Sequence, residues 1–493
     1  MIPQSTFMIV APIIDARRQE LNGLLASMND RPGMATPNNA LVPFGQFENL
    51  HFARFVILED RTATDFAELG YEVPHYAALL SFMGDFDGPA NDMLAQLANR
   101  AEPGLRQIFS CCEDFTAGSN LLAWMRSHSQ APTANYVNWI GRTVTQIREE
   151  ATLRDALVEC IRDNHPTFIQ STPQDVRAKL LAHGQTLLHE KRVSLAAMPP
   201  TPLSWTIRDW LHYAIGPVLL LLPWALAFPL LLVNPFAYVV IPISVAVGAL
   251  AFFFLQRHVP ARLALVVVLG LGLIPYFLLL PLLLIPAIAI VGGFALLLRH
   301  KEKTADEVIH RPELGHLLEL SSLEDHDVSN QFNAFGSVKP GVFWMWTFAG
   351  LLWAVDYAAR HFFNRGHLGR IRTIHFARWV FLDGKKRAFF ASNYDGSHEA
   401  YMDDFINKAG WGLNVAFGCG VGYPRTKFIL KDGCEDELKF KYTQRRHQIP
   451  SQSWYRAYPG LTVYDLERNA RVRAGFERQT MTDSEVRAWL RDL

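Results

Sequence analysis

Charge is almost absent from one long stretch of this chain. From Leu211 to Leu298 there is no aspartate, glutamate or lysine, and the only arginines are Arg257 and Arg262. Soluble cores do not read this way, and a helix needs only ~20 apolar residues to cross a bilayer. The stretch therefore implies an integral membrane segment between two soluble parts. Other absences narrow the chemistry. The 493 residues carry 47 basic and 47 acidic side chains, so no charge excess points to nucleic acid. The five cysteines, Cys111, Cys112, Cys160, Cys419 and Cys434, form no CxxC pair and no zinc spacing. That usage fits a reducing compartment. The first residues lack the basic start of a signal peptide and read as a strand. No P-loop, Ser-His-Asp spacing, HExxH or dinucleotide fingerprint occurs.

Within the apolar stretch, breaks at Asn234-Pro235, at 256–260 and between Pro275 and Pro281 separate spans of 212–233, 236–255, 263–280 and 281–298. Basic residues cluster before the first span (Lys191, Arg192, Arg208), in the middle gap (Arg257, Arg262) and after the last (Arg299, Lys301, Lys303). Only an even number of spans puts all three clusters on one side, which the positive-inside rule makes the cytoplasm. The expectation is a multi-pass protein of the plasma (inner) membrane with cytoplasmic soluble modules. A single kinked helix over 263–298 is the alternative and would place the C-terminal part outside. No ionisable relay lies within the spans, which argues against a transporter.

The two soluble parts are related. Leu50-His51-Phe52-Ala53-Arg54-Phe55-Val56 recurs as Ile374-His375-Phe376-Ala377-Arg378-Trp379-Val380. Phe82-Met83-Gly84-Asp85-Phe86-Asp87-Gly88 matches Phe390-Ala391-Ser392-Asn393-Tyr394-Asp395-Gly396, and the match continues ungapped through Gly104 on Gly412 to Cys111 on Cys419. Such self-similarity marks two copies of one module. In the first copy, strand patterns at 7–13, 51–58, 75–86 and 105–111 alternate with helix patterns at 15–28 and 89–100. The second copy repeats them at 331–338, 342–363, 373–382, 387–394, 397–408 and 413–419. The order βαββαβ is ferredoxin-like. The expected fold is α+β: two such modules packed together, with a helical transmembrane domain inserted between them. The divisions are 1–118 (first copy), 119–205 (amphipathic helical connector), 206–303 (transmembrane), 304–329 (linker), 330–424 (second copy) and 425–493 (C-terminal docking arm with a short helix).

These residues resemble the dimeric α+β barrel superfamily and, within it, dye-decolourising peroxidases, which carry a GxxDG motif beside haem. Gly84-Asp85-Phe86-Asp87-Gly88 fits that pattern. The resemblance implies haem as cofactor, Asp87 as the acid–base group of peroxide cleavage, and Gly84 and Gly88 beside it. Asp395 is the degenerate counterpart, since Ser392 replaces the first glycine. An axial ligand is also implied, and His165, with His183 behind it, is placed to supply the metal-binding imidazole. The bland reading of Asp87 is a turn and helix cap, which Asp395 shares by position.

Arg54 and Arg378 sit in both HFAR strands. They read either as anion binders in a cavity between the modules or as partners of acids across the sheet. In an alternating strand His51 shares a face with Ala53, and Phe52 with Arg54. The stretch from Arg445-Arg446-His447 to Tyr458 mixes basic and aromatic residues, as a lipid-headgroup site or a docking arm would. Two functions follow. One is a membrane-anchored, peroxidase-like oxidoreductase acting on a hydrophobic or lipidic substrate at the cytoplasmic face. The other is a non-catalytic, membrane-anchored barrel that binds a ligand or partner. The bilayer and a hydrophobic small molecule are the expected partners; the sequence does not specify an oligomeric state.

Overall fold

The structure, a computed structural model, describes residues 1–232, 246–250, 253, 281–305 and 307–493. Contacts divide it into two units, Met1–Pro202 with Asp306–Leu493, and Leu203–Ala305. The first unit is α+β and holds both copies of the repeat.

The first copy runs β1 (Gln4–Pro12), α1 (Arg18–Ser27), β2 (Leu50–Leu58), β3 (Leu79–Asp87), α2 (Ala90–Arg100) and α3 (Glu102–Phe109), followed by β4 (Ala134–Val137), α4 (Val144–Asp163) and α5 (Pro173–His189). The second runs β5 (Ser329–Ser337), α6 (Val342–His361), β6 (Ile374–Leu382), β7 (Arg387–Asp395) and α7 (His398–Phe417), followed by α8 (Glu437–His447), β8 (Ser451–Arg456), α9 (Val463–Glu477) and α10 (Asp483–Leu490).

The expected closing strands at 105–111 and 413–419 are helical instead. Leu105, Ile108 and Phe109 are buried at a spacing that repeats once per turn, and Pro103 suits a first helical turn. The strands that complete the sheets come from farther along the chain, and they are exchanged. β8, after the second copy, pairs antiparallel with β2 of the first, Trp454 opposite Arg54. β4, after the first copy, pairs antiparallel with β6 of the second, Asn135 opposite Arg378. The sheets read β1-β3-β2-β8, extended by two short strands at Gly33–Ala35 and Asn29–Arg31, and β4-β6-β7-β5. The connector thus contains a strand, and the C-terminal arm is built into the first copy's sheet. This exchange ties the copies together through backbone hydrogen bonds, which do not depend on any one side chain.

The two sheets face each other across a core that includes Met8, Val56, Met83, Phe335, Val380 and Phe389. A separate helical layer forms where α4 and α5 meet α9 and α10 through Leu153, Leu157, Leu180, Val472, Phe476 and Trp489.

In the second unit, helices cover Leu203–Leu232 and Pro281–Thr304, where the first and last spans are expected. The spans expected at 236–255 and 263–280 lie almost wholly outside the described residues. Among the described residues one helix, α6, is long and apolar enough to cross a membrane by length and composition. It belongs to the first unit and packs on β6, Phe348 meeting Phe381 edge-on with ring centroids 5.2 Å apart.

Candidate functional site

The repeated motif residues gather at equivalent points of the two sheets. β2 carries an irregularity between Leu50 and Phe52, and β6 one between Ile374 and Phe376, so His51 and His375 are each an extra residue in their strand. A bulge of this kind re-aims a side chain. It overrides the simple alternation: the His51 and Phe52 rings both lie against Phe376, at 5.1 and 5.7 Å. His51 Nε2 lies 3.0 Å from Asp87 Oδ1, and His375 Nε2 lies 2.7 Å from Asp395 Oδ1. The second oxygen of each aspartate accepts the first backbone N–H of a helix, Val144 of α4 at 2.9 Å and Val463 of α9 at 2.6 Å. A carboxylate there satisfies an orphan N–H and opposes the positive end of the helix dipole.

This geometry accounts for the GxxDG segment. At Gly84 a Cβ would fall 2.7 Å from the Phe7 ring, so a side chain has no room. Asp87 binds a helix start. Gly88 and its counterpart Gly396 hold φ of 97° and 86°, a left-handed turn conformation that suits glycine. Ser392, in place of the first glycine, bonds its hydroxyl to Tyr401 at 2.8 Å.

The arginines point between the sheets. Arg378 donates to the Phe7 carbonyl at 2.9 Å and to Asp85. Arg54 donates to the Phe332 carbonyl at 3.2 Å, to the Asn333 side chain at 2.9 Å, and to the Asn393 side chain. Asp85 and Asn393 occupy the same place in the repeat. Asp85 is thus bonded directly by Arg378 and linked to Arg54 through Asn393, which donates to Asp85 at 3.4 Å. Burial, then the charge of Arg378, pushes the Arg54 pKa down to about 9. Both arginines are 3% exposed and held by protein partners.

His165 lies elsewhere. It opens a single-turn helix, His165–Phe168, and its side chain is exposed. Asp87 holds the first N–H of α4, whereas His165 follows the far end of that 20-residue helix, ~30 Å away at 1.5 Å per residue. Among the described residues the one group placed to share a metal ion is Asp65, Glu68 and His310, in which Asp65 is already held by both nitrogens of Arg446. The residues expected to hold haem thus lie apart, Asp87 and Gly88 by the start of α4 and His165 beyond its end. Arg445, Arg446 and Arg456 likewise pair internally, with Glu324, Asp65 and Asp327. That basic and aromatic stretch is a structural arm.

A cavity does exist, in a place not singled out by the sequence. It lies on the helix-covered face of the second sheet, walled by Phe348 of α6, Met402 and Phe417 of α7, and Phe440 of α8, with about 90 Å³ open to the centre of a water-sized sphere. The copies can be compared residue by residue here. Arg378 binds the Phe7 carbonyl and Arg54 that of Phe332, which places Phe7 on Phe332. Ile9 then falls on Ala334, Ala11 on Gly336 and Leu80 on Ala388; the strand registers agree, with Ile9 opposite Phe82 and Ala334 opposite Phe390. The first copy fills this space with Ile9 and Leu80, packed among Phe55, Phe82 and Phe109. In the second, three smaller residues leave it open. Trp379 lines the cavity, and its buried indole N–H has no hydrogen-bond partner. His447 also lines it; its Nδ1 donates to the Thr443 carbonyl at 2.8 Å, and burial holds its pKa below the ordinary histidine range. Aligning the copies over β1 and β5 as well as over the obvious motifs was the signal that would have found it.

No protein family, curated protein or solved structure matches the chain. The resemblance to peroxidases thus rests on the quoted residues alone.

Proposed function

We propose that the protein is a membrane-anchored binding protein for an apolar small molecule, and that the cavity over the second sheet is its site. The observation that carries this reading is the asymmetry of the copies: one fold, in the same register, is solid in the first half and hollow in the second. A void lined by aromatic and aliphatic side chains costs stability unless something fills it. Its lining is of the kind small-molecule sites have, mostly apolar with a few polar groups to orient the ligand. The unpartnered Trp379 N–H favours a ligand that carries an oxygen acceptor on an otherwise hydrocarbon or aromatic body. The acid-free stretch at 211–298 supports the membrane part of the proposal. The peroxidase-like reading is the weaker one, because both oxygens of Asp87 are engaged and His165 lies away from it.

The test transplants the first copy's residues into the second. Full-length protein in amphipol is titrated with a dansyl-labelled fatty acid, as wild type and as Ala334→Ile with Ala388→Leu. The wild type is expected to bind saturably at one site, and the double variant to bind about tenfold or more weakly with an unchanged or higher melting temperature. Equal binding by both, or no saturable binding by the wild type, would overturn the proposal.

A further inference from the structure

Helix α6 has two apolar faces, and only one is covered. Trp344, Phe348, Leu352 and Ala359 are buried against the rest of the first unit. On the other side Val342, Trp346 and Trp353 are 69%, 59% and 38% exposed, and Phe362 just beyond the helix is 53% exposed. Positions 342, 346 and 353 fall on one stripe of a helix. A row of tryptophan in water is unfavourable, and such patches mark a surface that something covers.

The charges around the stripe indicate what covers it. At the N-terminal end, Lys385 Nζ lies 5.0 Å from the centre of the Trp346 ring and Lys339 Nζ lies 4.9 Å from that of Trp344. At the C-terminal end, the loop after α6 carries Arg365, Arg370 and Arg372, all exposed. From Val338 to Arg372 there are five lysines and arginines and one acid. That acid, Asp356, accepts the backbone N–H of Asn135 at 3.0 Å, and the next, Asp383, is bonded to Arg387. Tryptophan along an apolar face, with basic side chains at both ends, is the composition of a helix that lies in the plane of an anionic bilayer surface. Spanning is excluded by packing, since the inner face of α6 is part of the protein core.

We infer that the outer face of α6 docks flat on an anionic lipid surface, with Trp346 and Trp353 at the level of the headgroup–acyl boundary and Arg365, Arg370 and Arg372 on the phosphates. This surface stands independently of the cavity reading. Phe348, on the opposite face of the same helix, lines that cavity.

The experiment uses the full chain, whose native cysteines are all buried. A polarity-sensitive NBD label is placed at Trp346→Cys, with Val342→Cys as a second site and Ala117→Cys, in an exposed loop of the first copy, as control. Each protein is reconstituted into phosphatidylcholine vesicles with and without phosphatidylserine. With phosphatidylserine, labels at 346 and 342 are expected to shift to the blue, to be quenched by doxyl-labelled acyl chains and to resist iodide, while the label at 117 stays open to iodide. Quenching by doxyl-labelled acyl chains should fall toward its level without phosphatidylserine when Arg365, Arg370 and Arg372 are changed to glutamine, which removes the charges that hold the helix on lipid phosphate. Iodide quenching at 346 and 342 equal to that at 117 would overturn the inference. So would shielding from both quenchers, which means a protein covers the helix, and so would identical lipid quenching without phosphatidylserine.

Discussion

In the first copy, Ile9 and Leu80 fill the space between sheet and helices; in the second, Ala334 and Ala388 leave it empty, although the strands beneath keep the same pairing. At other positions the copies agree closely. Both use a bulged histidine, an aspartate that binds it, and a helix start held by the same aspartate. The comparison separates two kinds of residue. What both halves share is what two sheets need to exchange strands and seat a helix. What one half alone has changed is free to serve a ligand. Helix α6 extends the contrast: its counterpart α1 is short and polar, whereas α6 sets Phe348 toward the cavity and Trp346 toward the outside. A single helix thickness then separates the proposed ligand from the proposed lipid surface.

The largest expected effect comes from the one place where the shared core is not symmetric. Asp85 is the only carboxylate bonded in the box formed with Arg54, Arg378 and Asn393. Changing Asp85→Asn makes the two copies alike and leaves two buried guanidinium groups with no counter-charge. Breaking a buried pair by removing one partner costs about 3–5 kcal/mol, so the melting temperature should fall sharply. Asn393→Asp makes the copies alike in the opposite sense, with two carboxylates for two guanidinium groups, and should cost far less. A similar loss in both variants would mean that the asymmetry is incidental to stability.

The repeat, the α+β class and the pairing of the two halves in one unit were readable because HFAR and the DG turn recur with their apolar flanks. The exchanged strands were not. Ala134–Val137 is four residues long and Ser451–Arg456 six, too short for a period to stand out, and nothing local says which sheet a strand will join. The segment at 105–111 misled because Leu105, Phe109 and Cys111 also fall on the alternate positions of a strand, and so short a run does not separate that pattern from the helical one of Leu105, Ile108 and Phe109. Asp87 was legible as a cap or a catalytic acid; position alone did not decide. The cavity was invisible since it is made by what small residues fail to fill.

A medium effect is expected from acid. His398 stands where the first copy has Ala90. Burial, and then the charge of Arg445, pushes its pKa down to about 3, with the hydrogen bond that Nε2 donates to Gln444 Oε1 at 3.1 Å acting the other way and Glu324 Oε1 at 3.6 Å. The folded value lies below that of an unfolded histidine, ~6.5. The unfolded chain therefore binds the extra proton, and stability is full above pH ~6.5 and declines as pH falls from there toward 3. Hydrogen exchange should show α7 and α8 losing protection at mildly acidic pH before α2 and α3 do. His398→Ala, which copies Ala90, should bring the two halves closer together. An unchanged gap between them would assign the acid sensitivity to other groups, His447 first, since burial lowers its pKa too.

The smallest expected difference is between Asp87 and Asp395. Each loses the same two bonds on replacement by alanine, one to a buried imidazole and one to the first N–H of a helix. Loss of such a cap costs ~1 kcal/mol, somewhat more with a charge-assisted bond added. Asparagine keeps one acceptor and should recover part of it in both copies. The melting temperatures of Asp87→Ala and Asp395→Ala should thus fall by similar amounts, with each asparagine variant in between. A peroxidase makes the opposite forecast: Asp87→Asn would abolish peroxide-dependent dye oxidation while Asp395→Asn left it intact, the loss of an acid–base group being worth about 10²–10⁴ in rate. Matched thermal shifts without any such activity would assign the aspartates to the architecture that the copies share, and leave the hollow second half as the place where this chain does something its first half does not.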